Sequence, residues 1–121
     1  MKLRALRGAT TVDRNEAEAI LEATDELVRA VMERNALVPE AMVSCVFTVT
    51  DDLNAEFPAV AARRLGLDDV PLLCAREIDV PGALPRVIRL MLHCYADERS
   101  EPHHVYLRDA GQLRKDLEAA Q

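Results

Sequence analysis

Aromatic residues are almost missing from this chain. Tryptophan is absent, and the only others are Phe47, Phe57, Tyr95 and Tyr106. A core must therefore be assembled from Val, Leu, Ile, Ala and Met. Lysine is equally scarce, found only at Lys2 and Lys115. Positive charge is carried by arginine, whose planar fork of donors suits two-point capture of carboxylates. The net charge of -6 argues against a nucleic-acid surface. Cys45, Cys74 and Cys94 are odd in number and show no CxxC spacing. The first ten residues, MKLRALRGAT, contain no apolar signal core. The expectation is a reduced, cytoplasmic protein. No apolar run approaches the ~20 residues that cross a bilayer.

Chemistry-bearing motifs are lacking too. There is no Gly-rich phosphate loop, and no serine sits in a nucleophile elbow. His93, His103 and His104 lack metal-ligand spacing with one another or with the cysteines. A single metal ion is not expected. At 121 residues the chain reads as one domain over 1–121.

What is present is a regular alternation of apolar segments. Residues 2–10 read as a strand, with Leu3, Ala5 and Arg7 on one face. Residues 15–34 form an amphipathic helix, its stripe made by Ile20, Leu21, Thr24, Leu27, Val28 and Val31. Asn15 followed by Glu18 resembles a capping box, and Asn35 is a C-terminal stop. Residues 42–50 (MVSCVFTVT) are a strand with both faces covered. FPAVAARRLG is a short helix opened by Pro58 and ended by Gly66. Strands follow over 70–76, 86–95 and 103–108, leaving a polar tail over 110–121, expected to be partly mobile. The order predicts an α+β fold: a mixed sheet of about five strands with one long amphipathic helix and a short one.

Charged residues in apolar strands are the informative exceptions. Glu77 and Arg89 lie in and beside the runs of 71–91, where a buried charge needs a partner. Alternation puts Arg89 on a face with Val87 and Met91. Arg7, Glu77, Arg89, a tyrosine and Cys74 suit an anionic small molecule, and a reaction that needs charge stabilisation more than proton transfer.

Several segments together resemble one family. They are RGATTV at 7–12, AEFPA at 55–59 followed by Arg63, Cys74 and Glu77 followed by Asp79-Val80, Ile88-Arg89, and HVYL at 104–107 followed by Leu113-Arg114. In order and spacing this set is similar to the monofunctional chorismate mutases of the trimeric, α/β-barrel-like class. The resemblance implies conversion of chorismate to prephenate, a Claisen rearrangement on the route to phenylalanine and tyrosine, without cofactor, metal or covalent intermediate. It implies a homotrimer whose sheets pack together, with sites at the subunit clefts.

Carried over by position, Arg89 donates to the ether oxygen, and Glu77 accepts from the ring hydroxyl near Cys74. Arg7 and Tyr106 hold the side-chain carboxylate. Phe57, Ala59 and Arg63 come from the neighbouring subunit, Leu72 and Leu73 join the substrate-binding set, and Leu113 and Arg114 help close the site. Val60 stands where the family's FPAxA segment often carries lysine, leaving Arg63 or Arg64 to supply that charge. Cys74 and Glu77 are three residues apart, so a strand serving both must bulge or end between them. Two readings from other classes remain: a non-catalytic trimeric module binding small carboxylic acids, and an enamine/imine deaminase-like protein on a related trimeric fold.

Overall fold

The computed structural model describes residues 1–119. Five strands form one mixed sheet: β1 (Lys2–Thr11), β2 (Met42–Val49), β3 (Leu72–Arg76), β4 (Val87–Ala96) and β5 (Val105–Tyr106), in the order β3-β2-β4-β1-β5. β4 runs antiparallel to both β1 and β2. β3 lies parallel to β2, and β5 parallel to β1. Three helices accompany the sheet: α1 (Ala17–Arg34), α2 (Pro58–Arg64) and α3 (Gly111–Ala119). The last of these is a helix beyond the long and short ones expected; residues 120 and 121 lie outside the described residues.

The core fills one face of the sheet. Leu6 of β1, Phe47 of β2, and Ile88, Leu90 and Leu92 of β4 bury against Ile20, Leu27, Val28 and Val31 of α1 and Ala59 and Ala62 of α2. Burying side chains of this size is the main stabilising term, at about 1.5–3 kcal/mol each. Gly8 lets α1 approach closely. A Cβ there would lie 3.1 Å from Leu90 and 3.2 Å from both Leu27 and Val31.

The opposite face is uncovered within one chain. Leu3, Leu73, Met91 and Tyr95 are exposed there, so within one chain the helices cover β2 on one face only. On that face β2 presents Ser44, Val46 and Thr48, while Cys45 and Phe47 point into the core.

Element ends differ from expectation where a side chain finds a distant partner. α1 begins at Ala17, and its N-cap, Glu16, makes no side-chain cap bond. Asn15 instead accepts from the Asn54 and Ala55 amides at 3.0 Å each and donates to Asn54 Oδ1 at 2.7 Å, holding the loop that leads to α2. β5 is two residues rather than six. His103 is clasped by Asn35, whose Oδ1 accepts from its amide (2.8 Å) and whose Nδ2 donates to its carbonyl (2.8 Å). Arg108 takes a positive φ of 51°, which turns the chain out of the sheet. Its guanidinium reaches the Thr11 carbonyl at 3.2 Å and Glu26 at 3.3 Å.

Candidate active site

Strand register brings the charged residues together. On the uncovered face, Thr48 of β2 pairs with Arg89 of β4, Arg89 with Ala9 of β1, and Ala9 with Tyr106 of β5. The next row runs from Leu73 through Val46 and Met91 to Arg7. Ala9 is short and sits between Arg89 and Tyr106. That difference in side-chain length hollows a cleft of about 500 Å³, within the range usual for small-molecule sites. Arg7, Arg76, Arg89, Glu77, Thr48 and Tyr106 line it, with Met91 and Ile78 as apolar walls.

Glu77 lies just past the end of β3. Its amide still donates to the Val49 carbonyl at 2.9 Å, continuing the ladder by one bond. The strand therefore ends before Glu77; the β2–β3 register runs unbroken from Leu72 to Arg76. The Glu77 carboxylate meets two partners at one oxygen. Arg89 Nε forms an ion pair with Oε1 at 2.6 Å, and the Thr48 hydroxyl donates to Oε1 at 2.8 Å. The Glu77 side chain is 15% exposed and that of Arg89 45%. One charge is thus recessed and the other reaches toward solvent. With Arg7, Arg76 and Arg89 against one carboxylate, the cleft has a net positive charge that suits a di-acid.

Tyr106 and Arg7 are held by β1–β5 contacts. The Arg7 amide donates to His104 Nδ1 at 3.0 Å, and the Leu107 amide to the Ala9 carbonyl at 2.9 Å. Partial burial, followed by the charge of Arg7, lowers the His104 pKa from its usual 6.5. A lowered pKa favours the neutral ring, the form that can accept at Nδ1.

Of the sequence-predicted residues, the structure brings Arg7, Glu77, Arg89 and Tyr106 into this cleft. It does not bring Cys74 there. Cys74 pairs across the sheet with buried Phe47 and packs against the core. The thiol therefore lies on the helix-covered face, away from Thr48 and Glu77. Cys45, on the same side, has its pKa pushed up to about 12, chiefly by burial, and is an inert packing thiol. Leu72 is half-buried on the core side, whereas Leu73 is 62% exposed on the cleft side. Phe57 is 67% exposed at the start of α2, Ala59 is buried within that helix, and Arg63 is exposed on it. Leu113 and Arg114 lie on α3, the first half-buried and the second exposed. None of these lines the cleft of a single chain. Thr48 and Arg76 were not anticipated. Alternation along MVSCVFTV could have placed Thr48 opposite Phe47's face, but nothing in the sequence reveals its link to Glu77. Among the described residues no group of three or more His, Cys, Asp or Glu could hold a metal ion.

The family model for chorismate mutase type I matches residues 3–117. This chain belongs to the type I chorismate mutase family. Two curated relatives agree along their length. The chorismate mutase AroH of Thermus thermophilus is 49% identical over 121 residues, covering 98% of this chain and 99% of that protein. The chorismate mutase AroH of Bacillus subtilis (strain 168) is 42% identical over 119 residues, covering 97% of this chain and 94% of that one. A solved chorismate mutase from Clostridium thermocellum superposes with a TM-score of 0.87 at 44% identity, over 90% of this chain and 98% of that one. A chorismate mutase is an isomerase. Of the six charged or hydroxyl-bearing residues lining the cleft, Arg7, Glu77, Arg89 and Tyr106 are among those named from the family resemblance, and Thr48 and Arg76 are not.

Proposed function

We propose that this chain, a chorismate mutase by family, rearranges chorismate to prephenate in the cleft between Arg7, Glu77, Arg89 and Tyr106, in phenylalanine and tyrosine biosynthesis. In the rearrangement the ether C–O bond breaks as a new C–C bond forms within the same molecule. Negative charge grows on the ether oxygen and positive charge on the ring. The observation that carries the proposal is the Glu77–Arg89 pair at 2.6 Å in an arginine-lined hollow. It offers opposite charges a few ångströms apart, as the two ends of that breaking bond require.

Arg89 is the electrophilic partner of the ether oxygen. Glu77 accepts from the ring hydroxyl and balances the ring's positive charge. Arg7 and Tyr106 take the side-chain carboxylate and so hold the substrate's two ends together, which lowers the barrier by restricting conformation. No residue needs to gain or lose a proton. A module that only bound carboxylates would need the arginines but not Glu77, which repels an anion.

The protein works as a homotrimer. One sheet face carries exposed Leu3, Leu73, Met91 and Tyr95, an apolar surface that packing between copies would cover. Phe57, Ala59 and Arg63 complete the cleft from a neighbouring subunit, Leu73 borders it, and Leu113 and Arg114 on α3 close over it. No helix among the described residues is long and apolar enough to cross a membrane, and the working compartment is the cytoplasm. The test is direct: purified protein is given chorismate without metal or cofactor and the loss of chorismate absorbance is followed. Loss well above the uncatalysed rate is expected. A folded protein that leaves chorismate unchanged rules the proposal out.

A further inference from the structure

Glu77 has no regular strand to hold it, since β3 ends at Arg76. Its side chain meets Arg89 and Thr48, and both contacts fall on Oε1. In the reaction proposed above, the Arg89 guanidinium must also serve the ether oxygen. A carboxylate tethered only to that arginine would follow it. The Thr48 hydroxyl is a different kind of anchor. It sits on β2, directly across from Arg89 in the register, with β3 on one side and β4 on the other. A β-branched side chain on a strand has few rotamers to choose from, so its hydroxyl is a fixed donor. A hydroxyl bonded to a charged acceptor is stronger than one between neutral groups.

We propose that Thr48 is a positioning residue of the rearrangement. Its hydroxyl holds Glu77 by Oε1, so that the other carboxylate oxygen faces the substrate's ring hydroxyl while Arg89 turns to the ether oxygen. Thr48 acts through Glu77 and itself touches no reacting atom. The inference rests on the reaction assigned to the cleft, and the test separates the two.

Steady-state kinetics on chorismate are measured for wild type, Thr48→Val and Thr48→Ser, with Thr48→Ala as a second hydroxyl-free variant should Val disturb the strand. Valine keeps the shape and branching of threonine and removes only the donor. Thr48→Val is expected to lose about tenfold in kcat, in line with one hydrogen bond to a charged group, with a smaller change in KM and an unchanged Tm. Thr48→Ser, which keeps the hydroxyl, is expected to stay within about threefold of wild type. Crystal structures of Thr48→Val and Thr48→Ser read the same claim without turnover. The Glu77 carboxylate should shift away from residue 48 and stay with the Arg89 guanidinium in the first, and keep its wild-type position in the second. Wild-type kcat in Thr48→Val, an equal loss in Thr48→Ser, or an unmoved Glu77 in Thr48→Val would overturn the role of Thr48. A wild-type protein inactive on chorismate would instead sink the reaction, while the two crystal structures would still decide what holds Glu77.

Discussion

Arg89 stands in a row of side chains that crosses four strands, and its neighbours decide what it can do. Thr48 and Ala9 flank it by register, and Glu77 approaches from the end of β3. Arg89 and Glu77 were legible in the sequence because each is a charge among apolar neighbours. Thr48 was not, since threonine is ordinary in a strand and its partner lies 29 positions away. Cys74 was placed at the site by the family resemblance. In β3 it pairs with buried Phe47 and so lies on the core side, while Glu77 follows the end of the strand. His104 carries the pH prediction. Its lowered pKa means that the folded protein binds that proton less readily than the unfolded chain does. The resulting stability is fully present above about pH 6.5, the ordinary histidine value, and is lost as pH falls through the lowered value. Protonation also removes the acceptor for the Arg7 amide. An NMR titration should therefore give His104 a midpoint below 6.5, with the Arg7 amide exchanging faster on the acid side. A midpoint above that value would contradict the tie.

The strands and helices were read from periodicity, and their ends from local signals. The first served well because Ile20, Leu27, Val28 and Val31 on α1 and the alternation in β4 are decided by burial alone. The second failed wherever a partner was remote. Asn15 has the pattern of a cap but bonds to residues 39 and 40 positions away. The ends of β5 are set by Asn35 and by the turn at Arg108. α3 has few apolar residues to announce it. Gly8 is the packing joint between α1 and the sheet, beside Arg7. Gly8→Ala places a methyl against Leu90, Leu27 and Val31, none farther than 3.2 Å. The crowding should cost about 1–3 kcal/mol of stability, read as a lower denaturant midpoint at unchanged slope. Unchanged stability would mean that α1 moves away freely, and that the joint is looser than its contacts indicate.

Taken whole, the chain is a sheet finished on one side only. Helices bury one face, while the other combines the charged cleft with an apolar margin of Leu3, Leu73, Met91 and Tyr95. Assembly was not legible from alternation, because a strand reads as covered on both faces whether the cover is a helix or another copy. Sedimentation of the wild-type protein should give three chain masses. Tyr95→Glu, which adds a charge to the apolar margin outside the cleft, should lower that mass. A wild-type monomer at micromolar concentration would refute the trimer.

The claim on which the rest depends is that the fork of Arg89 stabilises the oxyanion that develops as the ether bond breaks. Lysine at this position keeps the charge but replaces a planar set of donors with a single point. The most direct test is kcat on chorismate for Arg89→Lys, with folding verified by circular dichroism. Loss of one preorganised donor is worth about 10²–10³-fold, and a fall of that size is expected. A kcat close to wild type in a correctly folded Arg89→Lys protein would contradict the account.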